Sequence, residues 1–404
     1  MGCISKRQRV GDFLFQLLVF LFVADPTNTI FHMKMVVFSL LLFYNLFFIK
    51  AEWAMLRYFA LCLTAILVPW LFALLRGENV DSAEFSATVN SVFPLLLLPW
   101  IGQYNLLRLS VKPVVAVVCV VLVIYWAIIF YPRLEGIVYL FMCAHDHTIM
   151  LSRRAFLGFS MFGMYCKATV AFLPVFALLL YNAFTAERRT RSSVFLLLLF
   201  VHLFLISGTR STIVLPVFLA LVLFFIFYRN KRYCNYVVYP SAMVAIFAFI
   251  VILSLLLLET NEHSNMVKYA HLASYSDLFS ENPLYLLIGQ GPGTAFYTEG
   301  FAKMSFKTEW SYMELWRNLG VFAFFIIYTF LYPLVSLCRV ALKNDEALVL
   351  AITYIVYLVI AGTNPLLLSS TGMLVLLTMF SASKGYAKKC EIMPRNDCDN
   401  VSFS

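Results

Sequence analysis

Runs such as VVAVVCVVLVIYWAIIF, residues 114–130, carry no charge and neither glycine nor proline, and similar stretches recur along the chain. A helical apolar run of about 20 residues crosses the hydrocarbon core of a bilayer. A chain built from many such runs takes lipid as its solvent. The composition agrees, because the 404 residues are 62% hydrophobic and only 13% charged, which excludes an ordinary soluble domain.

The fold expected is all-α: a polytopic integral membrane protein with about twelve transmembrane helices, forming one transmembrane domain over residues 1–404. The spans fall at residues 10–24, 30–49, 55–75, 91–107, 113–131, 156–181, 193–206, 212–228, 235–258, 319–337, 346–361 and 366–383. The start, MGCISKRQRVGDF, is basic and leads straight into an apolar run without a clear cleavage site, so it reads as an uncleaved first span. MGCIS resembles a myristoylation signal, but Lys6 stands where that pattern wants Ser or Thr.

A net charge of +9 raises the question of nucleic acid. The cations answer it by clustering on alternate connections: Lys6, Arg7 and Arg9, then Lys50, Arg57, Arg108 and Lys112, the group Arg188, Arg189 and Arg191, the group Arg229, Lys231 and Arg232, then Arg339, Lys343, Lys384, Lys388, Lys389 and Arg395. By the positive-inside rule these connections are cytoplasmic, as are both termini, with residues 384–404 a cytoplasmic tail. The charge is a topology signal, and no nucleic-acid partner is expected. Of the nine cysteines, Cys143 alone falls on an outer loop, so no disulfide framework is expected.

Two outer segments are long. The first, from Pro132 to Ala155, ends in HDHTIMLSRRA. The second, residues 259–318 between the ninth and tenth spans, is too polar to cross the membrane yet keeps short apolar runs, so it should fold as a large helical periplasmic loop. Its Ser311-x-x-Glu314 pattern reads as a capping box leading into the tenth span. The two halves show no matching pair of broken helices of the kind an alternating-access transporter displays.

Residues able to carry chemistry concentrate at the outer side. Arg210, in SGTRS, lies between two apolar runs at the outer interface. It either snorkels to lipid phosphate or binds a phosphate or pyrophosphate beside Ser207, Gly208, Thr209 and Ser211. Arg153 and Arg154 occupy the same depth at the start of the expected sixth span, with Lys167 about three turns further along that helix. His145, Asp146 and His147 could touch a metal, but no further ligand is evident, and a solvated loop is the plainer reading. In IGQGPGTAFYT, Gly289, Gly291 and Gly293 form a turn whose amides could approach an anion or sugar, or which lets the loop re-enter. In KTEWSYMELWRNLG, Glu309 and Tyr312 sit one helical turn apart, with Glu314 and Arg317 following. A carboxylate near arginines suits deprotonation of a hydroxyl while cations stabilise a phosphate leaving group.

The order of these features, with SGTRS, LIGQGPGTAFYTEG and TEWSYMELWRNLG, resembles the Wzy-type O-antigen polymerases of the bacterial O-antigen polymerase and ligase superfamily. The resemblance covers the topology, with its motifs near residues 150–160, 205–215 and 286–322. It implies an enzyme of the bacterial inner membrane that transfers a growing glycan from undecaprenyl pyrophosphate to the next lipid-linked repeat unit, with no nucleotide, metal or other cofactor. It implies Arg210 and Arg154 at the pyrophosphate, and Glu309 as base with Glu314 the alternative. Substrate-binding roles then fall to Arg153, Gly289, Gly291, Gly293, Tyr312, Glu314 and Arg317. A separate chain-length regulator would be a partner. O-antigen ligase is the nearest alternative, although ligases carry a histidine late in the large loop, where this chain has none after His271. A lipid-linked oligosaccharide flippase follows, whose short loops fit less well.

Overall fold

The computed structural model describes residues 6–145, 149–156, 159–185, 190–207, 210–228 and 263–392. Helices dominate: α1 (Lys6–Ala24), α2 (Lys34–Phe48), α3 (Leu56–Leu75), α4 (Ser82–Val92), α5 (Leu106–Phe130), α6 (Arg133–Ala144), α7 (Leu173–Phe184), α8 (Arg191–Ile206) and α9 (Arg210–Tyr228). Then come α10 (His263–Glu281), the single turn α11 (Tyr285–Ile288), α12 (Ser311–Leu319), α13 (Ala323–Ala341), α14 (Asp345–Gly362) and α15 (Ser370–Ile392). Two antiparallel hairpins pair β1 (Ile149–Phe156) with β2 (Phe159–Cys166) and β3 (Phe296–Thr298) with β4 (Lys303–Ser305).

Among the described residues five helical stretches are long and apolar enough to cross a membrane: Trp53–Leu75, Ser82–Gln103, Leu106–Phe130, Ser311–Ala341 and Asp345–Gly362. The expected spans at 10–24, 30–49, 193–206, 212–228 and 366–383 are helical over most of their length. The expected ninth span, 235–258, lies outside the described residues.

Three expectations need correction. The sixth span is not one helix over 156–181: the chain forms the β1–β2 hairpin, with Arg153 opposite Phe162 and Arg154 opposite Met161, and only then enters α7. Gly158 and Gly163 weaken a helix here and Pro174 suits only a first turn. Lys167 consequently sits in the turn after β2 rather than inside a span. The fourth span shifts toward the N-terminus. Asp81 caps α4 by accepting from the amides of Ala83 and Glu84, both at 2.9 Å, and the apolar run continues as a 3-10 stretch, Phe93–Gln103. Pro94 and Pro99, which lack an N–H, disfavour a regular α-helix there. Finally, α15 runs on to Ile392, so the expected tail from residue 384 begins as helix, and residues 393–404 lie outside the described residues.

α14 and α15 occupy the middle of the bundle, burying Leu350, Tyr354, Tyr357, Met373, Leu376 and Phe380. Where lipid is as apolar as the side chains, association rests on close packing and satisfied polar groups. Ala347, Ala351 and Ala361 permit that approach on α14. Thr353 and Thr378 return their hydroxyls to the carbonyls of Val349 and Leu374, at 2.7 and 2.8 Å, and Tyr354 donates across to Phe330 O at 2.8 Å.

Cross-links sort the helix ends into two sets. At one end Lys384 pairs with Glu52 at 3.0 Å, Gln8 donates to Gln103 O at 3.1 Å, and Tyr44 donates to Arg7 O at 2.6 Å. Arg9, Lys50, Arg57, Arg108, Arg339 and Lys343 belong to this end by their helix positions. At the opposite end Ser370 and Lys34 both donate to Pro26 O at 2.7 Å, and the segment from α10 to α12 folds over the end of α3 and the start of α4. The described part of the segment that the sequence marks as a loop, from residue 263 to 318, holds α10 to α12 and the β3–β4 hairpin.

Candidate functional site

The glycine-rich turn is wedged between three helix ends. Gly289, Gly291 and Gly293 have φ of +73°, +108° and +86°, a region that side chains with a Cβ avoid. A Cβ on Gly289 would stand 2.3 Å from Asn318 O, on Gly291 2.4 Å from the Ala73 Cβ, and on Gly293 2.8 Å from Asp81 O. The turn is therefore the contact between the loop, α12, the end of α3 and the cap of α4. Its amides are largely spent inside the protein: Gly289 N donates to Tyr285 O at 3.0 Å, Gln290 N to Arg317 O at 2.6 Å and Gly291 N to Asn318 O at 3.1 Å. The anion-cradling alternative gives way to re-entry and anchoring.

Arg317 is the centre of this anchor. It is fully buried, and its guanidinium is satisfied on every side. Nε and Nη2 reach Glu314, Nη1 donates to Gln290 Oε1 at 2.6 Å and Thr294 O at 3.0 Å, and Nη2 donates to Phe306 O at 2.9 Å. Its Cζ lies over the Phe296 ring, 4.5 Å from the centroid. A guanidinium with all its donors placed on protein acceptors has none left for substrate. Arg317 thus organises the loop rather than binding a ligand.

Glu314 is equally occupied. Besides Arg317 it accepts from Tyr275 Oη at 2.8 Å and Asn318 Nδ2 at 2.8 Å, so four donors cover its four lone-pair directions. The expected capping box does not form. Trp310 is the N-cap of α12 without a side-chain bond, and Ser311 instead donates to Asn364 O. Tyr275 is buried against Phe296 and also meets Thr308 at 2.6 Å; burial pushes its hydroxyl well above the usual tyrosine range. His271 is buried beside it, with Nδ1 on Thr298 Oγ1 and Nε2 without a partner. Burial lowers the His271 pKa below the ordinary histidine value, against the opposing pull of Glu309 and Glu314.

The other sequence candidates separate. Glu309 precedes α12 and turns toward α10, where Lys268 Nζ lies 3.6 Å away. Tyr312 packs over Gly362 and donates to Leu358 O at 2.9 Å, so it does not face Glu309. Arg153 is exposed and pairs with Glu135 at 3.2 Å, on the rim of a cleft of about 600 Å³ lined also by Arg133, Tyr139, Ser152 and Phe162. Arg154 lies on β1 and Arg210 opens α9 at the capped end, but their side chains, with Gly208, Thr209, Asp146 and His147, lie outside the described residues. His145 places Nδ1 2.7 Å from Phe141 O. Among the described residues no group of three or more His, Cys, Asp or Glu side chains is gathered as metal ligands, and Cys62, Cys119, Cys143, Cys166 and Cys338 are free thiols.

Two residues emerge only from the structure. Arg76, at the end of α3, donates through Nη2 to Gly289 O at 2.9 Å and Gln290 O at 2.7 Å, which pins the turn to the helical bundle. The signal that could have found it is a cation at an outer helix end, against the charge trend. Glu84, in the first turn of α4, lines a cavity of about 170 Å³. Lys307, Ser311, Glu314 and Asn318 give that cavity a polar side, and Leu315, Leu319, Leu367 and Leu368 an apolar one.

No protein-family model matches the chain, and no curated protein matches it either.

Proposed function

We propose that the chain is an outer-face glycosyltransferase of a bacterial inner membrane, an O-antigen polymerase that transfers a growing glycan from undecaprenyl pyrophosphate to the next lipid-linked repeat unit. The observation that carries this reading is the hydrogen-bonded cap, α10 to α12, folded over a half-polar cavity at the end of the bundle opposite the basic clusters. A flippase needs an open path rather than a braced lid. In this reading about twelve spans cross the membrane and both termini are cytoplasmic.

The chemistry asks little beyond orientation and charge. A hydroxyl oxygen of the acceptor sugar bonds to the donor's anomeric carbon, the bond from that carbon to the phosphate oxygen breaks, and undecaprenyl pyrophosphate leaves with the electron pair. Arg154 and Arg210 stabilise that charge, while Arg153, paired with Glu135, lines the α6–hairpin cleft beside Arg133. The leaving group is already activated, so the scheme calls for neither nucleotide nor metal. A chain-length regulator would act on the same face.

The test is a gel of surface lipopolysaccharide from a host strain lacking this gene. Core carrying a single repeat unit is the expected result. Bare core with long polymer retained on undecaprenyl pyrophosphate would make the protein a ligase, and bare core with no outer-face polymer would make it a flippase.

A further inference from the structure

We propose that Glu84 and Lys307 form the proton-accepting and charge-neutralising pair of the transfer step, a role that rests on the polymerase reading of the capped cavity. Of the carboxylates at the cap, only Glu84 and Glu314 line the cavity, and Glu309 is the one that the sequence puts forward as base. Glu314 borders the cavity, but its oxygens are taken by Arg317, Tyr275 and Asn318. Glu309 faces Lys268 on α10 and does not line the cavity. Glu84 lines it and has one charged partner among the described residues, Lys307, whose Nζ lies 2.6 Å from Oε2. At that distance the ammonium itself covers the oxygen, which is otherwise shielded from solvent.

The two partners are mounted differently. Glu84 is fixed, because Asp81 caps the first turn of α4 and Thr88 returns its hydroxyl to Glu84 O at 2.9 Å. Lys307 rides on the connection between β4 and α12, and its side chain is 56% exposed. A flexible ammonium beside an open cavity can exchange one anion for another. When a pyrophosphate enters, Lys307 gains a second anion to pair with, and Glu84 is left facing the acceptor hydroxyl. As the oxygen bonds to the anomeric carbon, its proton passes to the Glu84 carboxylate. The electron pair of the breaking carbon–oxygen bond leaves on the pyrophosphate, whose added charge Lys307 offsets. Leu315, Leu319 and Leu367 opposite supply the apolar wall on which a sugar ring face can rest.

The experiment uses the full chain in lipid nanodiscs with lipid-linked repeat unit as both donor and acceptor. Glu84→Gln should lower turnover by about 10²- to 10⁴-fold, the usual contribution of a positioned base, with little change in acceptor KM or thermal unfolding. Glu84→Asp should recover part of the rate. The charge swap Glu84→Lys with Lys307→Glu should restore the ion pair and the fold without restoring turnover. A swapped enzyme that regains the wild-type rate would show that the pair is a strut and overturn the proposal, as would full activity in Glu84→Gln alongside a dead Glu309→Gln. Wild-type protein that makes no polymer overturns the polymerase reading and the pair's role with it. Polymer formed equally by wild type and Glu84→Gln overturns the pair alone.

Discussion

Replacing Arg317 by Ala separates an organising residue from a substrate-binding one. The guanidinium is fully buried and serves Glu314, Gln290, Thr294 and Phe306, so truncation leaves a buried carboxylate and several acceptors unpaired. Removing one partner of such a buried pair costs about 3–5 kcal/mol. At 1.36 kcal/mol per decade, the opening equilibrium of the cap should rise by roughly two to four powers of ten. Hydrogen exchange of the protein in nanodiscs reads this directly, with the loss of protection concentrated at residues 289–298 and 306–318. The double variant Arg317→Met with Glu314→Gln should be milder than Arg317→Ala, because no charge is then stranded. Exchange unchanged in Arg317→Ala while activity disappears would refute the organising role and return Arg317 to the substrate.

Gly289 has φ +73° and ψ 161°, a combination nearly confined to glycine, so Gly289→Ala should destabilise the cap by at least about 1–3 kcal/mol from backbone strain alone, visible as faster protease cleavage at the turn. Arg76→Gln removes charge-assisted bonds to two carbonyls and should loosen the same turn by about 1.5–3 kcal/mol, read as exchange at residues 289–291 with the helical bundle unaffected. His271 is held neutral by burial, with its pKa lowered in the folded cap. The unfolded cap then binds more protons, so this contribution to stability is intact above about pH 6.5 and declines as pH falls toward the lower folded value. Protease sensitivity of the cap should rise on acidification through that window, and His271→Gln should flatten the dependence.

Positions of apolar helices were readable because lipid imposes a long, charge-free signature on every crossing segment, as in α3, α5 and α14. The β1–β2 hairpin was not, since Phe156 to Cys166 is as apolar as a span, and only Gly158, Gly163 and Pro174 hinted that a helix would be interrupted. At the cap, the sequence singled out Glu314, Arg317 and the glycines as ligand groups, and the structure turns several of them toward one another. Arg317 and Glu314 look like ligand groups when written along a chain, and only folding reveals that they satisfy each other. Glu84 and Arg76 could not be joined to the site from the sequence, because their partners lie more than 200 positions away in the chain.

The glycine-rich turn makes sense as a consequence of where the hydrophobic drive stops. Within the bundle, α14 and α15 pack by shape, but a segment lying beyond the apolar core must be fixed by directed polar contacts. Those contacts have to converge from α3, α4 and α12 on a very short stretch of backbone. Side chains on Gly289 or Gly291 would occupy the space that Asn318 O and Ala73 already fill. Gly293, Glu314 and Asn318 belong to this anchored layer and also form the cavity wall, so one network sets both the rigidity of the cap and the shape of the space beneath it. Loosening the turn at Gly289 should therefore weaken acceptor binding without touching Glu84, raising KM first, whereas Glu84→Gln lowers turnover first. That contrast distinguishes a wall from a reacting group within a single cavity.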